Sequence, residues 1–411
     1  MMQTDLLIIG AGPGGYRAAE YAAKQGLQVV IIEQDEVGGT CLNRGCIPTK
    51  TFVHSASFAE AVERQQQVVS QLRSGIEGIL SAPGITLVRG HAAFADARSV
   101  SVGDDIISAR HIIIATGSSA KMPPIEGLND PRVMTSTGLL QLRELPKRLC
   151  IIGAGVIGME FASVFQRFGT EVTVIEFLKE CLPMLDSDVA KRLRKLMEKS
   201  GVDFKMKTAV HSVVDIDADA ILIATGRKAN TEGLNLAAAG ITLAPNGTIP
   251  VDDNFKINAL PNIYAIGDVN GRQMLAHAAE MQAIRAVNHI VGKTDGIRFD
   301  VMPAAIFTKP EAACVGASED QLREQGGAYK CHKSFWRSNG KALAMDESEG
   351  LLKLLADTDG RILGCHAFGA HAADIIQEVS VLMCRDTTVG QLRDMVHIHP
   401  TLGEVLKAAV E

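Results

Sequence analysis

The sequence predicts an α/β fold that contains two copies of one strand–turn–helix–strand unit. The copies span 6–33 and 150–176, and each has a short apolar run, a Gly-x-Gly-x-x-Gly turn, a helical pattern and a second apolar run that ends in a glutamate. In both copies the glutamate, Glu33 or Glu176, lies 23 positions after the first glycine. One such turn is a weak signal, but two in the same register, each between a strand and a helix, indicate two Rossmann-like dinucleotide-binding units.

The glycine spacing has a physical basis. The first glycine permits a tight turn, the second lets a pyrophosphate approach the N-terminus of the helix, and the third lets helix and strand pack closely. The candidate glycines are Gly10, Gly12 and Gly15 in the first unit and Gly153, Gly155 and Gly158 in the second.

The two glutamates are candidates for ribose recognition. A carboxylate at the end of the second strand reaches a ribose hydroxyl and repels a 2′-phosphate. Glu176 therefore favours NAD(H) over NADP(H) at the second site. The alternative is that Glu33 and Glu176 are only solvated strand ends.

A third repeated element follows each unit. Buried runs ending in Ala-Thr-Gly occur at 112–117 and 221–226, where a dinucleotide would meet the carboxyl ends of the strands. A further apolar run over 262–269 carries Asp268, which could accept a hydrogen bond from a polyol. The alternative for Asp268 is a cap for a helix that starts near Met274.

Two of the eight cysteines, Cys41 and Cys46, lie close together within 38–50, whereas the other six are scattered. In a turn or a first helical turn these two can come close enough for a disulfide. Zinc binding is disfavoured because His54 is the only further ligand nearby, and two buried structural thiols are the ordinary alternative. The position directly after a dinucleotide unit favours a redox-active disulfide.

The C-terminal motif is His-Ile-His-Pro-Thr-Leu-Gly-Glu, from His397 to Glu404. A histidine followed five positions later by a carboxylate fits an imidazole oriented as a base for a thiol. The alternative is a structurally paired histidine before a proline.

Composition and charge exclude several classes of protein. The formal net charge is −6, 46% of the residues are apolar and no block of like charge occurs, which argues against a disordered chain and against nucleic acid as a partner. The longest uncharged run, 233–251, contains two prolines and two asparagines, so no membrane span is expected. The first residues lack the features of a secretory signal, and we expect a cytoplasmic protein.

Taken together, these motifs resemble the flavin-dependent pyridine nucleotide-disulfide oxidoreductases. The likeness extends from about Asp5 to Val405 in the family's motif order, and it is strongest to the members that oxidise dihydrolipoamide. The cysteine motif and the terminal His-Pro-Thr are its most specific parts.

The resemblance implies a domain order and a homodimer. It implies an FAD-binding domain over 1–120, an NAD-binding domain over 121–229, a central segment over 230–297 that completes the FAD site, and a C-terminal α+β dimerisation domain over 298–411. The fold class is then α/β, with two Rossmann-like domains and an added interface domain.

The resemblance also implies roles for single residues. Cys46 would lie against the flavin, Cys41 would exchange with the substrate, and His399, oriented by Glu404, would be the base, acting on the cysteines of the partner subunit. Lys50 would pair with Glu160 near the flavin, because a buried lysine needs such a partner. The implied FAD residues are Gly10, Gly12, Gly15, Glu33, Thr40, Lys50, Ala92, Thr116, Gly117, Asp268, Met274, Leu275, Ala276 and His277, and the implied NAD residues are Gly153, Gly155, Gly158, Glu176, Val210 and Gly226.

The implied reaction is oxidation of dihydrolipoamide, or a similar dithiol, with hydride passed to NAD⁺. The lipoyl domain of a 2-oxo-acid dehydrogenase complex is a candidate partner. Glutathione-type and mercuric-ion reductases are alternatives, but Glu176 is not followed by arginines and the last cysteine is Cys384, so no terminal pair exists. A flavin-binding protein with a regulatory role is a further alternative.

The chain departs from the family pattern in four places. It is shorter than expected between Lys50 and Ala115, which indicates a trimmed helix pair, and between Glu176 and Ala224, which indicates lost strands. Two smaller departures are Ala229, where proline is expected, and Gly403, where serine is common.

Overall fold

A computed structural model describes residues 2–411, which form two compact units. The first unit contains the chain up to Lys121 together with Gly226–Ile297, and the second contains Met122–Thr225 and Arg298–Glu411. The strands, in chain order, are β1 (Met2–Ile9), β2 (Val29–Glu33), β3 (Ile85–Arg89), β4 (Ala92–Asp96), β5 (Ser99–Val102), β6 (Asp105–Ile114), β7 (Ser118–Ala120), β8 (Val133–Met134), β9 (Arg148–Ile152), β10 (Glu171–Glu176), β11 (Asp203–Met206), β12 (Ala220–Ile223), β13 (Arg227–Ala229), β14 (Ile263–Ala265), β15 (Ala304–Ile306), β16 (Ala312–Gly316), β17 (Lys330–Phe335), β18 (Leu351–Ala356) and β19 (Ile362–Phe368). The helices are α1 (Pro13–Lys24), α2 (Gly39–Arg44), α3 (Cys46–Val53), α4 (Phe58–Leu80), α5 (Ser136–Leu140), α6 (Val156–Arg167), α7 (Ser187–Lys199), α8 (Ala276–Ile290), α9 (Glu319–Gln325), α10 (Gly340–Ala344), α11 (Ala372–Cys384), α12 (Val389–Arg393) and α13 (Glu404–Val410), with short 3-10 turns at Leu236–Ala239, Gly267–Asn270 and Trp336–Ser338.

The first unit is built on a seven-stranded sheet in the order β3-β2-β1-β6-β5-β4, with β14 added beside β6. Strands β1, β2, β3, β6 and β14 are parallel, so their carboxyl ends meet at one edge of the sheet. The apolar runs of β1 and β2 are buried, as expected for parallel strands covered on both faces. The turns that follow β1, β6 and β14 therefore gather at this edge.

Helix α1 begins at Pro13, inside the first glycine turn. A proline suits the first turn because its missing N–H would have no helical partner there. The predicted strand over 262–269 is also shorter, since β14 ends at Ala265 and Asp268 lies in a 3-10 turn.

The second unit contains a parallel sheet in the order β11-β10-β9-β12-β8. Residues 207–219, between β11 and β12, form a loop without a named strand, at the point where the sequence predicted lost strands. Val213 and Ala218 of this loop are buried against the sheet residues Ile152 and Ile221. Arg132 fixes the loop by donating hydrogen bonds to the carbonyl oxygens of Ile216 at 2.8 Å and Ala218 at 3.1 Å. The apolar side chains of this loop thus cover one face of the sheet.

The last third of the chain forms a five-stranded antiparallel sheet in the order β15-β16-β19-β18-β17, packed against α11 and α13. Trp336 is fully buried in its core and donates an indole hydrogen bond to Ala370 O at 3.0 Å. A Cβ at Gly350 or Gly369 would lie within 2.5 Å of the Trp336 ring, so these positions need glycine. This sheet with its helices is the α+β part that the sequence predicted.

Candidate active site

The first glycine turn is shaped by close backbone contacts. Gly10 has a φ of +101°, and a Cβ at Gly15 would lie 1.8 Å from the Gly10 carbonyl oxygen. A side chain at Gly15 would therefore separate α1 from β1. The second turn repeats this geometry, with a φ of +107° at Gly153 and a distance of 2.0 Å from a Gly158 Cβ to the Gly153 oxygen.

The middle glycines differ, because a Cβ at either position would have room. Gly12 and Gly155 have ordinary extended backbones; a Cβ at Gly12 would meet only Gly39 Cα, at 3.9 Å, and one at Gly155 would meet no atom within 4 Å. Neither α1 nor α6 has a side-chain cap at its N-terminus. Open space beside uncapped N–H groups is what a pyrophosphate needs, so both turns fit a dinucleotide.

Glu33 and Glu176 are not free strand ends. Glu33 is buried and accepts hydrogen bonds from the backbone N–H groups of Ala11 at 2.7 Å and Asp35 at 2.8 Å. Glu176 accepts the equivalent bonds from Ala154 at 2.6 Å and Leu178 at 2.7 Å. Each carboxylate fixes the middle of its glycine turn and keeps lone pairs for a further donor, which rules out the alternative of a merely solvated carboxylate.

Cys41 lies on α2 and Cys46 begins α3, and Gly45 joins the two short helices. A Cβ at Gly45 would lie 2.8 Å from Thr40 O, so the sharp connection needs glycine. A hydrogen bond with the Cys46 side chain, reinforced by burial, raises the pKa of the Cys41 thiol, whereas the charge of Lys50 lowers it. The two thiols therefore interact directly, with a cation near them.

Four of the other six cysteines are buried. Burial raises the pKa of Cys150 to about 11 and that of Cys314 to about 12, and it also raises those of Cys181, Cys331 and Cys365. Cys384 is exposed. No three His, Cys, Asp or Glu side chains among residues 2–411 are grouped so that they could hold a metal ion.

His399 lies on an exposed segment of the second unit, with 79% of its side chain accessible. Its Nδ1 is 2.9 Å from Glu404 Oε1, and Glu404 Oε2 accepts the backbone N–H of Thr401 at 2.8 Å. The Thr401 N–H and the His399 side chain hold the pKa of Glu404 below its usual value. Glu404 is therefore held as a carboxylate beside Nδ1 of an exposed imidazole.

The neighbouring His397 has a partner that sequence reasoning missed. Its Nε2 is 3.0 Å from Glu378 Oε1 on α11, and only 9% of its side chain is exposed. It anchors a segment in which Val396 and Ile398 are 97% and 78% exposed. The two partners are 19 residues apart in the chain, so no local pattern links them.

The remaining predicted residues divide between the units. Asp268 lies in the 3-10 turn after β14, and the N-cap residue of α8 is Leu275, which makes no side-chain cap hydrogen bond. Glu160 is buried in α6 and accepts the backbone N–H of Phe307 at 2.9 Å. In the first unit are Cys41, Cys46, Thr40, Lys50, Ala92, Thr116, Gly117, Gly226, Asp268, Met274, Leu275, Ala276 and His277, and in the second are Glu160, Glu176, Val210, His399 and Glu404.

Two dinucleotide turns and an interacting thiol pair in one chain define the class as an oxidoreductase that couples thiol chemistry to nucleotide cofactors. Residues 4–283 match the family model for pyridine nucleotide-disulphide oxidoreductases, and residues 302–410 match that family's dimerisation domain. The chain belongs to the pyridine nucleotide-disulphide oxidoreductase family, which uses FAD and NAD(P)H. The predicted family, fold class and cofactor classes are therefore confirmed. No helix within residues 2–411 combines the length and apolar character needed to cross a bilayer.

Several relatives match nearly the whole chain. The mitochondrial dihydrolipoyl dehydrogenase of Pisum sativum is 36% identical over 455 residues, covering 99% of this chain and 91% of that protein. The dihydrolipoyl dehydrogenase of Chlamydia muridarum is 37% identical over 441 residues, covering 98% and 95%. Both alignments are longer than the 411-residue chain, so this chain lacks segments that these relatives have. Among solved structures, the Cu(II) complex of the HOCl-induced flavoprotein disulfide reductase RclA from Escherichia coli has a TM-score of 0.94 and 33% identity, covering 100% of this chain and 99% of that one.

Proposed function

We propose that this protein oxidises dihydrolipoamide, or a similar small dithiol, to its disulfide through a redox-active Cys41–Cys46 pair and passes the electrons to NAD⁺. The observation that carries the proposal is the thiol pair itself: Cys41 and Cys46 interact directly beside Lys50, in the same unit as the first dinucleotide turn. The names of the plant and chlamydial relatives support dihydrolipoamide as the substrate.

The thiol chemistry follows from ordinary disulfide exchange. One substrate thiolate attacks Cys41 Sγ, which breaks the Cys41–Cys46 bond and releases Cys46 as a thiolate. The second substrate thiolate attacks the first substrate sulfur and releases Cys41. The substrate thus loses two electrons and two protons. The cysteine pair gains the two electrons. Bound FAD would supply a two-electron acceptor for the cysteine pair and a hydride donor for NAD⁺.

A base is needed because free thiols have a pKa of about 8.5, so few are ionised at neutral pH. His399 is the proposed base, since its Nε2 is exposed and its Nδ1 is held by Glu404. Glu404 keeps the proton on Nδ1, which leaves Nε2 free to accept one from the substrate thiol. Lys50 stabilises thiolate charge at Cys41.

We also propose that the active protein is a homodimer in which His399 serves the cysteines of the partner subunit. The match of residues 302–410 to a dimerisation domain and the exposed Val396 and Ile398 beside His399 support this. The domain order from the sequence, with boundaries at 120, 229 and 297, and a cytoplasmic location are retained as parts of the proposal.

The decisive experiment uses the purified protein with its bound flavin. We expect NAD⁺ reduction with dihydrolipoamide, little reduction of NADP⁺ because Glu176 repels a 2′-phosphate, and no NADPH oxidation with glutathione disulfide. His399→Gln should lower dihydrolipoamide turnover by about 10²–10⁴-fold, the usual size of a general-base contribution, while flavin content stays constant.

The matched control is His371→Gln. His371 is also exposed, lies in the same unit and has its own carboxylate partner, Asp374, at 3.2 Å. The His371→Gln variant should retain full dihydrolipoamide turnover. Equal turnover in wild type and His399→Gln would remove the proposed base, and full activity in a demonstrated monomer would remove the cross-subunit arrangement.

A second candidate is reduction of a different disulfide. The near-complete structural match to the HOCl-induced flavoprotein disulfide reductase RclA favours it. Bound flavin without dihydrolipoamide turnover, together with NAD(P)H-dependent reduction of another disulfide, would support this candidate over the first.

A further inference from the structure

The two Ala-Thr-Gly segments, which the sequence showed as separate repeats, are joined to each other in the first unit. Strands β7 and β13 directly follow them and form a two-stranded antiparallel ribbon, with Ser118 opposite Ala229 and Ser119 opposite Lys228. The Asn230 side chain donates a hydrogen bond to Thr116 O at 3.0 Å, and its backbone N–H donates one to Gly117 O at 3.0 Å. The ribbon is therefore fixed to the carboxyl end of β6.

One face of this ribbon holds the Asp268 carboxylate. The Ser118 hydroxyl donates to Asp268 Oδ2, and Arg227 Nε donates to Ser118 Oγ at 2.6 Å. Arg227 also donates from Nη2 to Ser118 O at 2.6 Å, and its Nε lies 3.7 Å from Asp268 Oδ2. Ser118 is 3% exposed, so the hydroxyl that links the two charged groups is shielded from water.

The topology explains why these three residues meet. Strands β6 and β14 are parallel neighbours, and Ser118 and Asp268 each lie a few residues beyond their carboxyl ends. Among residues 2–411, no hydrogen bond reaches Asp268 Oδ1, although the side chain is partly exposed. One carboxylate oxygen is thus held by the protein, and the other is free to accept a hydroxyl at the edge of the sheet where a dinucleotide lies.

We infer that Ser118 and Arg227 are positioning residues for the flavin, because together they set the orientation of Asp268. An unrestrained carboxylate loses rotational freedom when it accepts a ligand hydroxyl, and a carboxylate already fixed through Oδ2 loses less. The positive charge of Arg227, 3.7 Å from Asp268 Oδ2, also attracts the carboxylate into this orientation. The inference rests on the proposed function, in which bound FAD accepts the electrons, and on the assignment of Asp268 to the FAD site that the family resemblance implies.

The test measures FAD affinity rather than turnover. Apoprotein is titrated with FAD, and the dissociation constant is obtained from flavin fluorescence. Ser118→Ala should raise this constant about tenfold, which corresponds to one hydrogen bond to a charged group. Arg227→Met should raise it at least as much, because it removes the bonds to Ser118 as well as the charge.

The ribbon offers matched controls one residue away. Ser119→Ala and Lys228→Met change the alternate face, where Lys228 pairs with the exposed Glu232. Both variants should have an FAD dissociation constant within about twofold of the wild-type value, as expected for an exposed ion pair. Equal effects of Ser118→Ala and Ser119→Ala would overturn the inference.

A double-mutant cycle separates positioning from a general structural role. If Ser118 acts through the Asp268 carboxylate, Ser118→Ala should have little further effect in an Asp268→Asn background. If Ser118→Ala weakened FAD binding as much in the Asp268→Asn background as in wild type, the inference would be refuted. It would also be refuted if Ser118→Ala lowered the thermal stability of the apoprotein enough to account for the weaker binding. Failure of wild type to bind FAD would instead refute the proposed function, so the two failures are distinguishable.

Discussion

The two dinucleotide turns have the same backbone geometry but different surroundings. In both, the third glycine lies against the carbonyl oxygen of the first, and the strand-end glutamate accepts two backbone N–H groups. The sheet behind the first turn is extended by β3, β4, β5 and β14, whereas one face of the second sheet is covered by the loop 207–219. The local turn is thus set by sterics in each copy, while the stability of each unit depends on what packs behind the turn.

The largest expected effect comes from filling the third glycine of one turn at a time. Gly15→Ala would place a Cβ 1.8 Å from Gly10 O, and Gly158→Ala would place one 2.0 Å from Gly153 O, so helix and strand must separate in both. We expect Gly15→Ala to abolish flavin binding, and Gly158→Ala to weaken NAD⁺ binding while flavin is retained. Flavin absorbance and an NAD⁺ titration measure the two outcomes.

Gly155→Ala is the matched control for the second turn. Its Cβ meets no protein atom within 4 Å, so folding should be unchanged, and only NAD⁺ affinity should fall because the methyl group faces the pyrophosphate. If Gly158→Ala released the flavin and Gly15→Ala did not, the assignment of the two turns would be reversed.

A smaller effect should come from the loop that covers the second sheet. Arg132→Ala removes hydrogen bonds to Ile216 O and Ala218 O and leaves Asp130 without its partner. We expect a loss of unfolding free energy, because the loop 207–219 loses hydrogen bonds to a charged donor. Chemical denaturation monitored by circular dichroism measures this loss, and flavin content should not change.

The control for Arg132 is Arg192→Ala. Arg192 also pairs with an aspartate, Asp188, but on the exposed face of α7. Its removal should cost less than about 1 kcal/mol. An equal loss for both arginines would show that the loop 207–219 does not depend on Arg132.

The parts of the site that sequence reasoning reached are those governed by local geometry. The glycine turns follow from φ values and close contacts within a few residues, and Cys41 with Cys46, or His399 with Glu404, lie five positions apart. Contacts between distant segments could not be predicted from the sequence. Ser118 meets Asp268 across 150 positions, and neither residue type signals the other.

The same limit applied to the shortened regions. Chain length indicated that strands were missing between Glu176 and Ala224, but not that Val213 and Ala218 would cover the sheet or that Arg132 would hold them. Between Lys50 and Ala115 a trimmed helix pair was expected, and the structure has α4, a single helix of 23 residues, after the short α3. Side-chain packing between distant segments decides such details, and it has no periodic signature in the sequence.

The smallest expected effect is a loss of stability in acid, which should come from a buried ion network in the second unit. Lys353 is buried and donates to Asp186 Oδ1 and Glu319 Oε2, both at 2.6 Å, while Asp186 is the N-cap residue of α7. Burial would raise the pKa of Glu319, but the hydrogen bond and charge of Lys353 outweigh it and lower this pKa to about 2. Because the folded-state value lies below the unfolded one, the stabilisation is present above about pH 4.5 and is lost as the pH falls toward 2. By pH 3.5 the loss should approach roughly 1 kcal/mol.

Urea denaturation at pH 7, 4.5 and 3.5 tests this: Glu319→Gln should flatten the acid dependence of the unfolding free energy, whereas Glu324→Gln, an exposed change on the same helix, should not. An unchanged slope in Glu319→Gln would place the acid sensitivity outside this network.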